Sequence, residues 1–64
     1  MIKYSVSVYD EKAHGSELIV TKIFYNADEA DAYAREMSLD FDWVRVVDSE
    51  SYLSTIYADG KIKY

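Results

Sequence analysis

Alternating apolar and polar residues open the chain and predict its first strand. From Ile2 to Val8 every second residue is apolar, and this period of two is typical of a half-buried strand. Residues 10–16 are polar and contain a glycine, so they are predicted to form a loop. Residues 17–25 are rich in β-branched and aromatic side chains and predict a second strand. The two strands are expected to form an antiparallel hairpin.

A helix is predicted after the second strand. Asn26 is a favourable N-cap residue, and the apolar residues that follow it recur at helical spacing. These apolar residues are Ala30, Tyr33, Ala34 and Met37. The helix is expected to end near Ser38, with Leu39 and Phe41 turning back toward the core.

Two more strands are predicted at residues 42–48 and 52–58, which again favour β-branched and aromatic side chains. Residues 49–51 are expected to form the turn between them. The Asp-Gly pair at 59–60 is a strong hairpin signal because both positions tolerate a positive φ. The tail at 61–64 either adds a short fifth strand or ends the sheet.

The 64 residues therefore predict a single α+β domain, 1–64, with the order ββαββ. It is a small, mostly antiparallel sheet of four strands, or five with the tail, with one amphipathic helix on one face. The adjacency of the strands across the helix stays open. Several strands are apolar on both sides, although one helix covers only one face. The uncovered face is either a set of ordinary cross-strand pairs or an interface with a copy or a target.

Composition narrows the class of function. The chain has no Cys and a single His, so disulfides and thiolate metal sites are excluded, and His14 is interpreted as a surface loop residue. The pattern contains no export signal and no long apolar run, so a cytoplasmic location is expected. The formal net charge of −5 disfavours direct binding to nucleic acid and to anionic membranes. No cofactor is predicted.

The formal net charge lies entirely in residues 26–42, which hold six acids and one base, whereas the rest of the chain balances to zero. The helix dipole favours acids in the first turns, and Asp31 with Arg35 forms an i, i+4 pair. Three further acids come at or after the expected helix end, where the dipole disfavours them. These acids are Glu36, Asp40 and Asp42. They are expected to serve either solubility or recognition.

A metal-dependent activity is a third hypothesis. Asp40 and Asp42 form a D-x-D pair, and an extended segment would place both carboxylates on one side. Such a pair can hold Mg²⁺ when further ligands and a concave setting are present. A short chain with one helix offers little concavity, and the Gly-rich phosphate-binding motifs are absent from the sequence. The favoured interpretation is two solvated acids, so neither a metal site nor a catalytic site is predicted.

The function expected from these features is a non-enzymatic protein-binding module that engages a basic, nucleic-acid-binding protein through a phosphate-mimicking ridge of carboxylates. In size, charge and aromatic-rich α/β build, the chain is similar to small phage-encoded inhibitors that imitate DNA, including some anti-CRISPR proteins. The predicted binding residues are Asp28, Glu29, Glu36, Asp40, Asp42, Trp43 and Tyr52. The alternative is a structural domain that forms a homodimer through its open sheet face, with the charge serving solubility.

Overall fold

The computed structural model describes residues 1–12 and 15–63 and shows one helix packed on a five-stranded sheet. The elements are β1 (Tyr4–Lys12), β2 (Gly15–Phe24), α1 (Ala27–Asp40), β3 (Trp43–Asp48), β4 (Ser54–Ala58) and β5 (Lys61–Ile62). The predicted α+β fold is confirmed, and the tail forms the short fifth strand. Within the described ranges, no helix is long and apolar enough to cross a membrane.

The sheet is antiparallel throughout, with the strand order β2-β1-β3-β4-β5. After β2 the chain crosses one face of the sheet as α1 and returns as β3 on the far side of β1. The pairing that places β3 there joins residues distant in sequence, such as Val6 and Val46. The adjacency that the sequence left open is therefore decided by nonlocal packing, and β2 and β5 become the edges of the sheet.

The first hairpin is longer than predicted. Residues 10–16 were expected to be a loop, but β1 continues to Lys12 and β2 begins at Gly15. The pairing continues through Asp10 with Glu17 and through Glu11 with Ser16. This prediction was wrong because polar side chains do not interrupt a ladder of backbone hydrogen bonds in a solvent-exposed hairpin. The interpretation of His14 concerns a position outside the described residues.

A β-bulge changes the side of the sheet that the first residues of β2 face. Val8 pairs with Val20 but Tyr9 pairs with Leu18, so Ile19 is the extra residue. Directly opposite residues of an antiparallel pair face the same side of the sheet. Val20 therefore packs toward the core with Val8, whereas Leu18 lies on the uncovered side with Tyr9 and is 53% exposed.

The helix begins where the sequence predicted. The side-chain Oδ1 of Asn26 accepts hydrogen bonds from the backbone N–H groups of Asp28 and Glu29, at 2.8 and 3.1 Å, which confirms the N-cap. These bonds satisfy two backbone donors that have no partner within the helix.

The helix ends later than predicted, at Asp40 rather than near Ser38. Phe41 is the C-cap, and its N–H donates to the carbonyl of Met37. Phe41 packs against the core as expected, but Leu39 is 70% exposed, so the prediction that it turns inward was wrong. The last turn is anchored by the buried Ser38, whose hydroxyl donates to the Arg35 carbonyl and accepts from the Gly60 N–H at 2.8 Å.

The core lies between α1 and one face of the sheet. Ala30, Ala34 and Ser38 recur every four residues on α1, and these small side chains let the helix approach the strands closely. The sheet contributes valines of β1 and β3 and the ring of Tyr57. The buried apolar residues are Val6, Val8, Ala30, Ala34, Val44, Val46 and Tyr57, bordered by Tyr4, Val20, Phe24, Tyr33, Met37 and Phe41. The helix face predicted from the sequence is confirmed.

The turns use residues suited to their backbone angles. Asp59 and Gly60 have φ values of 55° and 74°, so the predicted hairpin turn between β4 and β5 is confirmed. At the other end of the sheet, the Asp48 carboxylate accepts hydrogen bonds from the N–H and hydroxyl of Ser51. These bonds lower the pKa of Asp48, with the backbone N–H of Ser51 as the largest cause.

Candidate functional site

Four acids share the outer surface of α1, which we call the acidic face. Because Ala30, Ala34 and Ser38 face the sheet, the opposite side of the helix faces solvent. The acids of the acidic face are Asp28, Glu29, Glu36 and Asp40, and each is exposed. From Asp28 to Asp40 the face extends about 18 Å at 1.5 Å per residue. The structure therefore groups four of the seven predicted binding residues on one surface.

The only base of α1, Arg35, lies seven residues after Asp28, so it borders the acidic face on the side of Asp28. Its Nε donates to Asp31 Oδ2 at 2.9 Å, and its Nη1 donates to the Gly60 carbonyl at 3.3 Å. The Tyr57 hydroxyl donates to the other Asp31 oxygen at 2.7 Å. The positive charge of Arg35 is thus held by Asp31 and the β4–β5 turn.

The hydrogen bonds among Asp31, Arg35 and Tyr57 shift the pKa values of Asp31 and Tyr57. The hydrogen bond from Arg35, followed by that from Tyr57, lowers the pKa of Asp31. Burial, followed by the hydrogen bond to Asp31, raises the pKa of Tyr57 to about 12. Asp31 is therefore ionised and Tyr57 neutral at neutral pH, and both fasten the helix to β4. Their role is structural, which separates Asp31 from the acids of the acidic face.

The two ends of the acidic face differ in electrostatic cost. Asp28 and Glu29 lie in the first turn, where the helix dipole stabilises negative charge. Asp40 is the last helical residue, Glu36 lies one turn earlier, and the last turn contains no base. The dipole and the i, i+4 like-charge pair both disfavour these two carboxylates. The stability of the helix therefore gives no reason for their presence.

Asp42 has a structural contact that the sequence did not reveal. Its Oδ2 accepts a hydrogen bond from the backbone N–H of Glu11 at 2.5 Å, which ties the α1–β3 connection to the end of β1. Asp40 is helical, so the extended D-x-D geometry considered from the sequence is not formed. In the described part of the chain, no group of three or more His, Cys, Asp and Glu side chains could hold a metal ion.

Trp43 lies on the opposite side of the sheet from α1. Its ring stacks on Tyr9 with centroids 4.2 Å apart and an angle of 12° between the planes. The guanidinium of Arg45 lies 5.7 Å from the Trp43 ring and 6.0 Å from the Tyr9 ring. We call this side of the sheet the open face; by register it also carries Leu18, Ile23, Val47 and Ile56. The sheet thus separates Trp43 from the acidic face.

Tyr52 lies at the other end of β3, in the connection to β4. It is 77% exposed and has a φ of 58°. Together with Ile23, Val47 and Lys3 it lines a shallow groove of about 340 Å³ at the edge of the open face. Trp43 and Tyr52 are separated by the length of β3, about 17 Å for a strand of this size. The predicted acidic residues and aromatic anchors therefore do not form one continuous patch.

Sequence reasoning missed a second groove, between the N-terminal end of α1 and the adjoining ends of β3 and β4. Its volume is about 330 Å³, and the carboxylate residues Asp28, Asp31 and Asp48 lie in its lining. Leu53, which is largely exposed, forms part of an apolar wall. Asp28 also belongs to the acidic face, so the groove continues that surface. No local pattern could reveal it, because it depends on how α1 crosses β3.

Comparisons with protein-family models, with curated proteins and with solved structures each found no match.

Proposed function

We propose that the chain is a non-enzymatic binding module that engages a basic protein through the acidic face of α1. The observation that carries this proposal is the arrangement of Glu36 and Asp40 with Asp28 and Glu29 on one exposed surface, while Arg35 is turned aside to Asp31. Two of these acids oppose the helix dipole, so their presence is better explained by a contact with positive charge than by folding.

The groove beside Asp28 extends this proposal to particular side chains of the partner. A lysine or arginine has an apolar stem and a charged head. Leu53 offers an apolar wall for the stem, and the Asp28 carboxylate lies in the same lining to receive the head. We therefore propose that one basic side chain of the partner enters this groove while others contact Glu36 and Asp40.

A nucleic-acid-binding protein is the partner class that fits best. Such proteins present clustered Lys and Arg to a row of phosphates, and carboxylates one helical turn apart offer a comparable row of charges. The chain would then act as an inhibitor that occupies the nucleic-acid site, as the similarity to phage-encoded DNA mimics and anti-CRISPR proteins suggests. An inhibitor of this class acts in the cytoplasm, on a partner that is steered to it by complementary charge.

The test is capture of partners by the wild-type chain and by the variant Glu29→Gln/Glu36→Gln/Asp40→Asn, with identification by mass spectrometry. We expect the wild type to capture a basic protein that duplex DNA displaces, and we expect the variant to lose it. A matched control, Glu11→Gln/Glu50→Gln/Asp59→Asn, also removes three of the twelve acids but leaves the acidic face intact. Equal capture by both variants, or a captured protein that DNA does not displace, would contradict the proposal.

A second candidate function is self-association through the open face, with the charge serving solubility. It is favoured by the exposure of Leu18, which lies opposite Tyr9 of the Tyr9–Trp43 stack, and of Ile23 further along the same face. Aromatic and aliphatic side chains on an uncovered sheet resemble the core of an interface. Light scattering over a dilution series tests it with the variant Val47→Thr/Ile56→Thr. A dimer that persists in this variant would contradict association through the open face.

A further inference from the structure

The two edges of the sheet are built very differently. β5 has only two residues, and Lys61 and Lys63 place positive charge along it. Short strands and lysines are devices that prevent edge strands from pairing with other chains. β2 has ten residues, among which Leu18, Ile19 and Ile23 are exposed. The β5 edge is therefore protected by its length and its lysines, whereas the long β2 edge carries one lysine, Lys22, and the bulge at Ile19.

The bulge in β2 brings two oppositely charged residues to the same side of the sheet. Residues five positions apart face opposite sides of a regular strand. Because Ile19 is an extra residue, Glu17 and Lys22 both face the α1 side, where they lie opposite Asp10 and Val6 of β1. The position of the Lys22 ammonium agrees, since it lies 5.1 Å from the ring centroid of Tyr33 on α1.

The same bulge brings Leu18 and Thr21 to the open face, where they lie opposite Tyr9 and Ser7 of β1. A strand that pairs antiparallel with a copy of itself, about a two-fold axis perpendicular to the sheet, must bring together residues that face the same side. In one register this condition holds for Glu17 against Lys22 and also for Leu18 against Thr21. In this register both charged pairs are of opposite sign.

We propose that β2 pairs antiparallel with β2 of a second copy of this chain, with Glu17 opposite Lys22 of that copy and Leu18 opposite its Thr21. The arrangement joins two five-stranded sheets into one continuous sheet and forms two cross-strand ion pairs. Displacing the register by two residues removes both ion pairs while keeping the faces matched. Charge complementarity therefore selects both the occupant of this edge and its register.

The dimer has a defined shape. The two-fold axis places both α1 helices on the same side of the joined sheet, and the acidic face of each helix points away from that sheet. The proposal is independent of the proposed function, since it requires no basic partner. It also differs from association through the open face, because the open faces remain uncovered.

Disulfide trapping tests the register directly, since the natural chain has no Cys. We expect a mixture of Leu18→Cys and Thr21→Cys chains to form a disulfide-linked heterodimer under mild oxidation. Directly opposite Cα atoms in antiparallel strands are about 4.5–5.5 Å apart, within the range that a disulfide spans. Each chain by itself is expected to remain uncrosslinked, because its two cysteines would be offset by two ladder positions, about 7 Å along the strand, in addition to the spacing between the strands.

The control mixture pairs Leu18→Cys with Ile23→Cys, which lies two residues away from the expected contact on the same face. Equal crosslinking of the control and test mixtures would overturn the register. No crosslink in the test mixture, together with a wild-type chain that stays monomeric at high concentration, would overturn the dimer.

Charge reversal tests the ion pairs by a second route. We expect Glu17→Lys and Lys22→Glu each to weaken the dimer by about tenfold or more in sedimentation equilibrium, since like charges then face each other twice. The double variant Glu17→Lys/Lys22→Glu is expected to recover the affinity. Circular dichroism confirms that each chain is folded, and Glu17→Lys leaves the Lys22 contact with Tyr33 in place. Single variants with wild-type affinity, or a double variant with no recovery, would overturn the proposed pairing.

Discussion

At the scale of single residues, Tyr57 and Ser38 connect α1 to the C-terminal hairpin. Tyr57 is buried, and its hydroxyl donates a hydrogen bond to the Asp31 carboxylate. This carboxylate also accepts a hydrogen bond from Arg35. The sequence predicted the Asp31–Arg35 pair because its spacing is local, and that pair is confirmed at 2.9 Å. The contribution of Tyr57 was not predictable, since 26 residues separate it from Asp31.

We expect the protein to lose stability in alkali when Tyr57 ionises. Its pKa is raised from 10.0 to about 12, so the folded state binds this proton more tightly than the unfolded state. The stabilisation is therefore complete below pH 10 and is lost as the pH rises toward 12. The loss from this group is on the order of 2–3 kcal/mol. Denaturant unfolding of wild type and Tyr57→Phe across this range measures it, and parallel losses in both proteins would contradict the assignment.

Ser38→Ala is expected to lower the free energy of unfolding by about 1–2 kcal/mol, because the Gly60 N–H loses its acceptor at 2.8 Å. Ser54→Ala is the matched control, since Ser54 is exposed on β4 and its substitution should change stability by about 0.5 kcal/mol at most. Urea unfolding measures the free energy of unfolding of both variants. Equal losses in the two would show that the Ser38 contact does not anchor the helix end.

The helix α1 combines a well-capped start with an electrostatically unfavourable end. Its start was predictable because capping is local: Asn26 and the two N–H groups it accepts from lie within four residues. Its end was predicted two residues too early, since the contact of Ser38 with Gly60 depends on the position of the β4–β5 turn. Periodicity identified the buried face correctly because core packing follows the helical repeat.

Removing one negative charge is expected to change the free energy of unfolding in opposite directions at the two ends of α1. Asp40→Asn should raise the free energy of unfolding by about 0.3–1 kcal/mol, because it removes a negative charge beside the negative end of the dipole. Asp28→Asn should lower it by a similar amount, because Asp28 lies in the favourable first turn. Denaturant unfolding at low ionic strength measures both changes. A destabilising Asp40→Asn would mean that Asp40 supports the fold.

In the folded chain, the sheet separates two surfaces that were predicted from the sequence to act as one site. Asp40 and Trp43 are close in the chain, yet Trp43 stacks on Tyr9 on the open face, while Asp40 belongs to the acidic face of α1 on the other side of the sheet. Composition and local charge predicted that an acidic surface exists. They did not predict its separation from the aromatic residues, because the side that each strand residue faces depends on register and on the bulge at Ile19.

We propose that the acidic face, rather than the net charge of the chain, binds a basic partner. It is tested most directly by the affinity of the captured partner for three proteins at low and high salt: the wild type, Glu29→Gln/Glu36→Gln/Asp40→Asn and Glu11→Gln/Glu50→Gln/Asp59→Asn. We expect salt to weaken wild-type binding, and we expect the first variant to bind about tenfold more weakly or worse. The second variant, with the same net charge, should bind like the wild type. Equal affinities for the two variants, or wild-type binding that salt does not change, would contradict the claim.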